Sequence, residues 1–543
     1  MTVRVVPLGG LGEMGRNSLL IEGEREAFLI DGGMMLPDDY MVGVDAVIPD
    51  FSPLREVGEK FRGVFLTHGH EDHIGGIPYL VRDFRVPIYG TPLTLELLRG
   101  KLEDWGLEGE LECIVIDEGE EVNFGEFSFT PYAVPHSIPG GVGFVIRTLE
   151  GVVVHSGDFK MPSSLTETGK RVLGEAREEG VSLLLSDSVN AEVPGRAGSE
   201  EFVGGRLRDI IAGTSGRFIV ATFSSNLARI SEVMQAAHEN GRKVFISGRG
   251  MERSVEVGRK LGYLPPGEEI PVYPVEKSSR YPDDEVVLLT TGAQGEPFSA
   301  LFLISRGEHR HIFLKGGDTV VLSARMIPGN ERAVARLIDG LCRQGARVVY
   351  QGVGEVHVTG HGCREDLREM IRMTNPASFV PIHGEYRQLA HHADLAHEEG
   401  VENVIIAETG DVLELKGGRV FLNGEVLVRR VMVDGNGVGD VDDQVLKERR
   451  DISRSGVVVV SMGLTSDGEV LDGPEFVLHG VTDGETRKRL VEQVREELLE
   501  ELPHLVRGRS GEEVREAVRV CVRRFFRRHL QRKPVVIPLV RVS

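Results

Sequence analysis

The chain is poor in cysteine and aromatic residues, with four cysteines and one tryptophan among 543 residues and aromatics at 6%. Cys113, Cys342, Cys363 and Cys521 are scattered, which excludes a disulfide framework and any thiolate metal spacing and suits a reducing compartment. No run approaches the roughly 18 apolar residues of a membrane span. The N-terminal Met-Thr-Val-Arg-Val-Val-Pro enters a strand-like segment with no signal-peptide pattern. A cytoplasmic protein without a membrane partner is therefore expected. Positive charge is also short, 63 Lys and Arg against 84 Asp and Glu, for a net charge of −21. Polyanion binding draws much of its affinity from cations, so a nucleic-acid substrate would require basic residues gathered locally. Candidates are Arg229, Arg249, Arg253, Lys277, Arg280 and Arg325; the alternative for each is a solvated surface charge. The remaining composition, 41% hydrophobic and 27% charged, is that of a globular protein long enough for roughly two to four domains.

Histidine is concentrated. Thr67-His68-Gly69-His70-Glu71-Asp72-His73 follows the apolar run Val64-Phe65-Leu66, which reads as a buried strand leading into a polar loop. Imidazole and carboxylate are ligands that divalent ions such as zinc prefer. Residues two apart cannot share a helical face, whereas a loop wrapping an ion can bring such side chains together. The cluster is too crowded for one ion, and further candidates stand downstream. His136 follows the strand-like Phe127-Ser128-Phe129-Thr130, while Asp31 and Asp158 each close an apolar run before or after glycine. A lone Asp beside glycine is usually a turn residue, but recurrence at strand ends is where layered folds collect their sites.

His68-x-His70-x-Asp72-His73 with His136 and Asp158 resembles the metallo-β-lactamase superfamily, in which Asp31 matches the acid that orients ligands from behind. Leu184-Leu185-Ser186-Asp187-Ser188, Thr359-Gly360-His361-Gly362 and Pro381-Ile382-His383-Gly384-Glu385 resemble the three additional motifs of the β-CASP nucleases. Within that group the chain is similar from end to end to the ribonuclease J family. Matches include Leu8-Gly9-Gly10-Leu11-Gly12-Glu13, Asp187-Ser188-Val189-Asn190-Ala191-Glu192, Thr291-Gly292-Ala293-Gln294-Gly295-Glu296-Pro297, Ile327-Pro328-Gly329-Asn330-Glu331 and Arg532-Lys533-Pro534-Val535-Val536-Ile537-Pro538.

The resemblance implies an α/β protein: a metallo-β-lactamase αββα sandwich with an inserted β-CASP α/β domain and a small α+β C-terminal domain. The texture of the sequence divides accordingly, at 1–202 (first hydrolase segment), 203–355 (insertion), 356–441 (second hydrolase segment), 442–455 (charged linker) and 456–543 (C-terminal domain). Buried-strand runs such as Phe218-Ile219-Val220-Ala221-Thr222 and Val286-Val287-Leu288-Leu289-Thr290, alternating with helical stretches, predict a parallel sheet in the insertion. In the C-terminal part Val514, Val518, Cys521 and Phe525 recur at helical spacing and read as core. The basic run Arg523, Arg524, Arg527, Arg528, Arg532 and Lys533 is a solvated face, an RNA contact or a subunit interface.

The resemblance also implies roles. His68, His70 and His136 hold one divalent ion, Asp72, His73 and His383 hold a second, and Asp158 bridges them. The ions are expected to be zinc, with manganese as the alternative. Two such ions about 3.5–4 Å apart can generate a hydroxide and clamp an in-line phosphoryl displacement, leaving a 5′-phosphate and a 3′-hydroxyl. His361 would assist the departing 3′-oxygen, with Asp187 orienting it. The implied activity is 5′-to-3′ exonucleolytic and endonucleolytic cleavage of single-stranded RNA in RNA processing and decay. The competing readings are a hydrolase of the same fold acting on another substrate, such as DNA or a small ester, and a non-catalytic subunit that binds RNA or an active paralogue. A 5′-phosphate pocket is expected at Ser225 and Asn226, where Thr222–Asn226 opens a helix, together with Thr359, Gly360, His361 and Gly362. A homodimer or homotetramer built through the C-terminal domain is expected, and other RNA-decay proteins are candidate partners. The chain departs from the family pattern at Ala228, often histidine, at Ala324-Arg325-Met326, often serine-rich, and at Thr359-Gly360-His361-Gly362, usually Ser-Gly-His-Ala or a close variant.

Overall fold

The computed structural model describes residues 2–107, 109, 111–326, 330–465 and 467–542; the Ile327-Pro328-Gly329 motif lies outside the described residues. The chain forms two compact units, one of residues 1–36 and 47–431, the other of 37–46 and 432–543.

The first unit contains two facing sheets. One has eight strands, in the order Arg419–Glu425, Asp411–Lys416, Val3–Gly9, Ser18–Glu22, Ala27–Ile30, Phe61–Phe65, Ile88–Gly90 and Cys113–Val115. The other has seven, in the order Asn403–Val404, Ser378–Ile382, Val181–Asp187, Gly151–His155, Val142–Thr148, Phe127–Ala133 and Val122–Asn123. Alternating residues send one face of each sheet inward. Val5, Ile21, Phe28 and Phe65 meet Phe129, Phe144, Ile146 and Leu183 in one buried cluster. Phe65 stacks on Phe129 with ring centres 4.0 Å apart and on Tyr89 at 4.5 Å, so the strand that leads into the histidine loop is anchored at the centre of the sandwich. The outer faces are apolar as well and are covered by helices. Ile77–Asp83 and Pro92–Asp104 pack on the first sheet. Glu167–Glu179, Arg364–Thr374 and Tyr386–Glu398 pack on the second. The αββα sandwich is thus complete only when residues after 356 join those before 200.

Between them lies a six-stranded, all-parallel sheet in the order Val272–Pro274, Lys243–Ser247, Val286–Thr290, Phe218–Ala221, Thr319–Leu322 and Arg347–Val349. Its central strands are buried and mostly apolar because helices cover both faces: Leu207, Ile230, Val233 and Met234 on one side, Leu301, Ile304, Leu337 and Leu341 on the other. The first helix of this block begins at Glu200, three residues before the expected boundary at 203. Thr290, Ala221 and Leu322 end three adjacent strands. The loops that follow them, carrying Thr291–Gln294, Thr222–Asn226 and Ser323–Arg325, therefore emerge side by side, at the edge where open parallel sheets bind ligands.

In the second unit Val457–Leu464 lies between Val470–His479, antiparallel, and Val535–Val542, parallel. Helices Gly484–Val506 and Gly511–Leu530 cover the sheet, and Val514, Val518, Cys521 and Phe525 are buried in its core. The segment read as a linker is instead the helix Asp443–Ser455. Its signals are local: Asp442 Oδ1 accepts the N–H of Val445 at 2.8 Å, and Gly456, with φ of 76°, ends it. Among the described residues no helix is long and apolar enough to cross a membrane.

Candidate metal centre and catalytic histidine

The strand Phe61–Phe65 delivers Thr67 and His68 to the mouth of the sandwich, and His70 then caps one helical turn, Glu71–Ile74. The sequence reading took all of this as loop; the single turn is what swings Asp72 and His73 away from His68 and His70. Gly33 permits it, since a Cβ there would lie 1.7 Å from the carbonyl oxygen of Asp72.

Three groups of candidate ligands result among the described residues: His68, His70 and His136; Asp72, His73, Asp158 and His383; and, overlapping the second, Asp158, Asp187, His361 and His383. His70 Nδ1 lies 3.0 Å from His68 Nε2 and 3.2 Å from His136 Nε2, so three ring nitrogens converge. Asp158 Oδ2 is 3.2 Å from His73 Nε2, 3.7 Å from His68 Nε2 and 3.9 Å from His136 Nε2, within reach of the first two groups. His383, at a positive φ of 52°, sets Nδ1 2.9 Å from Asp158 Oδ1 and Nε2 3.4 Å from Asp72 Oδ2.

The residues behind these fix the ring orientations. Asp31 Oδ1 accepts the backbone N–H of Thr67 at 2.8 Å, while its Oδ2 lies 2.8 Å from Thr67 Oγ1 and 2.7 Å from His73 Nδ1. Thr67 Oγ1 in turn is 3.0 Å from His68 Nδ1. With the hydroxyl donating to Asp31 and accepting from His68 Nδ1, both rings turn Nε2 inward, and on His68 that nitrogen is a lone pair. His136 Nδ1 does the same through the carbonyl of Gly360, 2.8 Å away. A Cβ at Gly360 would lie 2.8 Å from His136 Cε1, so glycine is what lets this loop close on the ring.

Charge separates the first two groups. Burial and the neighbouring His73 push His68 well below an ordinary imidazole pKa; burial and His70 do so for His136. Burial also lowers His70, to about 4, against the pull of Asp72. These three are neutral donors, as a metal requires. Burial would lower His383 too, but Asp158, Asp72 and Asp187 raise it to about 10. His73 is likewise raised well above the usual value, burial being outweighed by Asp158, Asp72 and Asp31. Without metal, protons on these two rings hold the carboxylates together. The donor set fits divalent ions: neutral imidazoles face one point, and His383 Nε2 is buried without a hydrogen-bond partner.

Beside the second group, His361 Nδ1 lies 2.8 Å from Asp187 Oδ2, and the Asp187 carboxylate is pinned by the N–H of Val189 at 3.0 Å. Asp187 ends a central strand, Val181–Asp187, and is buried; His361 is partly open, its side chain 19% exposed. Thr359 Oγ1 accepts from His361 N at 3.2 Å and from Asn190 Nδ2 at 2.8 Å. The N–H of Gly362, expected to face a phosphate, is already given to the carbonyl of Phe159 at 2.6 Å. Asn226 caps the helix Leu227–Glu239, its Oδ1 accepting from Arg229 N at 3.0 Å. Ser225 is half-buried in the same turn, and no hydrogen bond joins it to the His361 loop among the described residues.

Several contributions escaped the sequence reading, although Arg229 stands among the candidate cations and Ser188 within a motif. Asn17 Nδ2 lies 3.0 Å from His73 Nε2 and 3.3 Å from Asp72 Oδ2. Lys160, Glu200 and Arg229 form a buried ion network tying the inserted sheet to the sandwich. Ser188, next to Asp187, is hydrogen-bonded to the buried His392 at 3.0 Å. Of the rest, only a polar residue inside an apolar helical face, as at His392, gave any signal beforehand.

A hydrolase sandwich interrupted by a parallel α/β domain, with histidines and aspartates at their junction, defines a β-CASP metallo-hydrolase. Family models agree: residues 11–194 match the metallo-beta-lactamase superfamily, 215–341 the ribonuclease J beta-CASP domain, 345–407 the Zn-dependent metallo-hydrolase RNA specificity domain and 444–542 the ribonuclease J C-terminal domain. The chain is 38% identical to ribonuclease J of Thermus thermophilus over 99% of its length and 95% of that protein's. It is 37% identical to ribonuclease J 1 of Streptococcus pyogenes (99% and 97%) and 36% identical to ribonuclease J2 of Bacillus subtilis (99% and 98%). A solved Enterococcus faecalis protein of unknown function shares the fold, with a TM-score of 0.54 at 16% identity over 76% of this chain and 100% of that one. The chain belongs to the ribonuclease J family and is a metal-dependent, RNA-binding ribonuclease.

Proposed function

We propose that the enzyme degrades single-stranded RNA from its 5′-end and also cuts internally, leaving 5′-phosphate and 3′-hydroxyl ends. His68, His70 and His136 would hold one ion, Asp72, His73 and His383 the other, and Asp158 both. The observation carrying this reading is the position of Asp158 Oδ2, 3.2 Å from His73 Nε2 and 3.7 Å from His68 Nε2. When bound, a pair of dications supplies an activated water and neutralises charge building up on the phosphate. Zinc suits so many imidazoles, and manganese tolerates them.

His361 takes the leaving side. Its Nδ1 is held by Asp187, so Nε2 is the face from which the departing 3′-oxygen receives a proton, and the carboxylate stabilises the charged ring that donates it. Asp31, Thr67 and Gly360 hold the outer Nδ1 atoms of His73, His68 and His136 and so aim each Nε2 inward. The turn of Ser225 and Asn226, at the start of a helix, is the favoured seat for a 5′-monophosphate, with Thr359 and Gly360 nearer the scissile bond and Gly362 allowing close approach. The second unit would join copies into a homodimer or homotetramer in the cytoplasm, where other RNA-decay proteins are candidate partners.

The test is a digestion time course on one 3′-labelled RNA bearing a 5′-monophosphate, triphosphate or hydroxyl, with and without chelator. Direct passage to mononucleotides, fastest from the monophosphate and abolished by chelator, is expected. Internal fragments regardless of the 5′-group would remove the Ser225 pocket. Equal cutting of a 2′-deoxy substrate would move the enzyme to another substrate class.

A further inference from the structure

An enzyme with a net charge of −21 must still hold a polyanion, and the structure sorts the candidate cations. Arg229 is 1% exposed and committed to Glu200, Ser323 and the carbonyl of Val356. Arg253 pairs with Glu103 and Asp104, each at 3.0 Å. Arg249, Lys277, Arg280 and Arg325 are all exposed with no carboxylate in ion-pair range among the described residues, but of these only the Arg325 side chain is hydrogen-bonded to the catalytic region, from NH1 to the amide oxygen of Asn190 at 2.7 Å.

Its placement gives that cation a use. Arg325 follows the strand Thr319–Leu322, at the edge of the inserted sheet where ligands gather. The Asn190 side chain that accepts from it donates to Thr359 Oγ1 at 2.8 Å and to the carbonyl of His361 at 3.1 Å. Arg325 thus stands two hydrogen bonds from the backbone of the proposed acid, held by a neutral group that leaves its charge uncompensated. A guanidinium has five donors in a planar fork, and one donor on Asn190 leaves an edge free for two phosphate oxygens.

We propose that Arg325 is a substrate-binding residue that grips a backbone phosphate of the RNA beside the scissile bond and does not read the 5′-end. The inference rests on the RNA reading above.

The test compares the full-length enzyme with Arg325→Ser and Arg325→Lys, on RNA with each of the three 5′-groups and on bis(p-nitrophenyl) phosphate, a diester with no neighbouring phosphate. Arg325→Ser is expected to raise KM for RNA about 10-fold, the loss of one charge-assisted bond, equally for all 5′-groups and with kcat preserved. The salt dependence of RNA binding should fall by about 0.7 in log–log slope. Arg325→Lys should restore the slope but not the full affinity, and the small diester should be cleaved as by the wild type. A loss confined to the 5′-monophosphate would make Arg325 an end reader and overturn the proposal. So would an equal loss on the small diester, which would mean that Arg325 acts only through Asn190 on His361, or an unchanged KM. If the wild type cleaves the small diester but not RNA, it is the RNA reading that fails.

Discussion

His361 Nδ1 and Asp187 Oδ2 lie 2.8 Å apart although 174 residues separate them, with the whole inserted domain in between. The pair therefore exists only once the insertion has folded and the chain has returned to the sandwich. Asp187→Asn keeps the shape but replaces the carboxylate that holds His361 Nδ1. A fall in kcat of about 100-fold is expected, with metal content unchanged by elemental analysis. Unchanged kcat would reduce His361 to a structural role.

Metal uptake should release protons. In the metal-free protein His383 titrates at about 10 and His73 above its usual value, so both are protonated at neutral pH, yet a ligand must be neutral. Affinity should therefore climb as pH rises from 6 to 8, measurable by competition with a chelating dye. For the metal-free protein the sign of the stability effect is opposite. A raised imidazole pKa stabilises fully below the unfolded value and is lost as pH rises through the folded one. Its melting temperature should thus fall toward pH 10, and that of the metal-loaded enzyme less so.

Glu200 bridges Lys160, at 3.1 Å, and the buried Arg229. Burial alone would raise its pKa, but those two cations hold it below the usual glutamate range. A depressed carboxylate stabilises above its unfolded pKa and loses that contribution as pH falls through the folded value. Glu200→Gln leaves Arg229 without its countercharge and should cost about 3–5 kcal/mol at pH 7. In urea titrations the gap to wild type should narrow at the acidic end, where Glu200 protonates in both states.

Gly360→Ala should damage the three-histidine group selectively. Its Cβ would press on His136 Cε1, so the ring or the loop must shift. Loss of about one metal equivalent per chain is expected, with the fold retained by circular dichroism. Full occupancy would mean that the loop yields without disturbing His136.

The parts of the fold legible in the sequence were those written in local pattern. Val64-Phe65-Leu66 reads as buried because it is an unbroken apolar run, and the parallel sheet of the insertion shows itself in uninterrupted runs such as Val286–Thr290. The helix Asp443–Ser455 was missed because its single fully buried residue, Leu446, gives no amphipathic stripe; its caps were the only signal. At the site, residue types announced the histidines and aspartates. Asn17 announced nothing, since an asparagine beside a turn is ordinary; Asn190 stood in a recognised motif but without a role, because its partners lie far along the chain. The turn at Ser225 was legible as a helix start, but not the commitment of Asn226 to cap it.

Asp31 touches His73 directly and His68 through the hydroxyl of Thr67. One carboxylate thus stands behind a ring of each half, and whatever draws electron density from one imidazole is felt, through that shared acceptor, by the other. If the two halves each hold an ion as proposed, filling one would change the basicity of its neighbour, so occupancy should rise in a correlated way and not as two independent events.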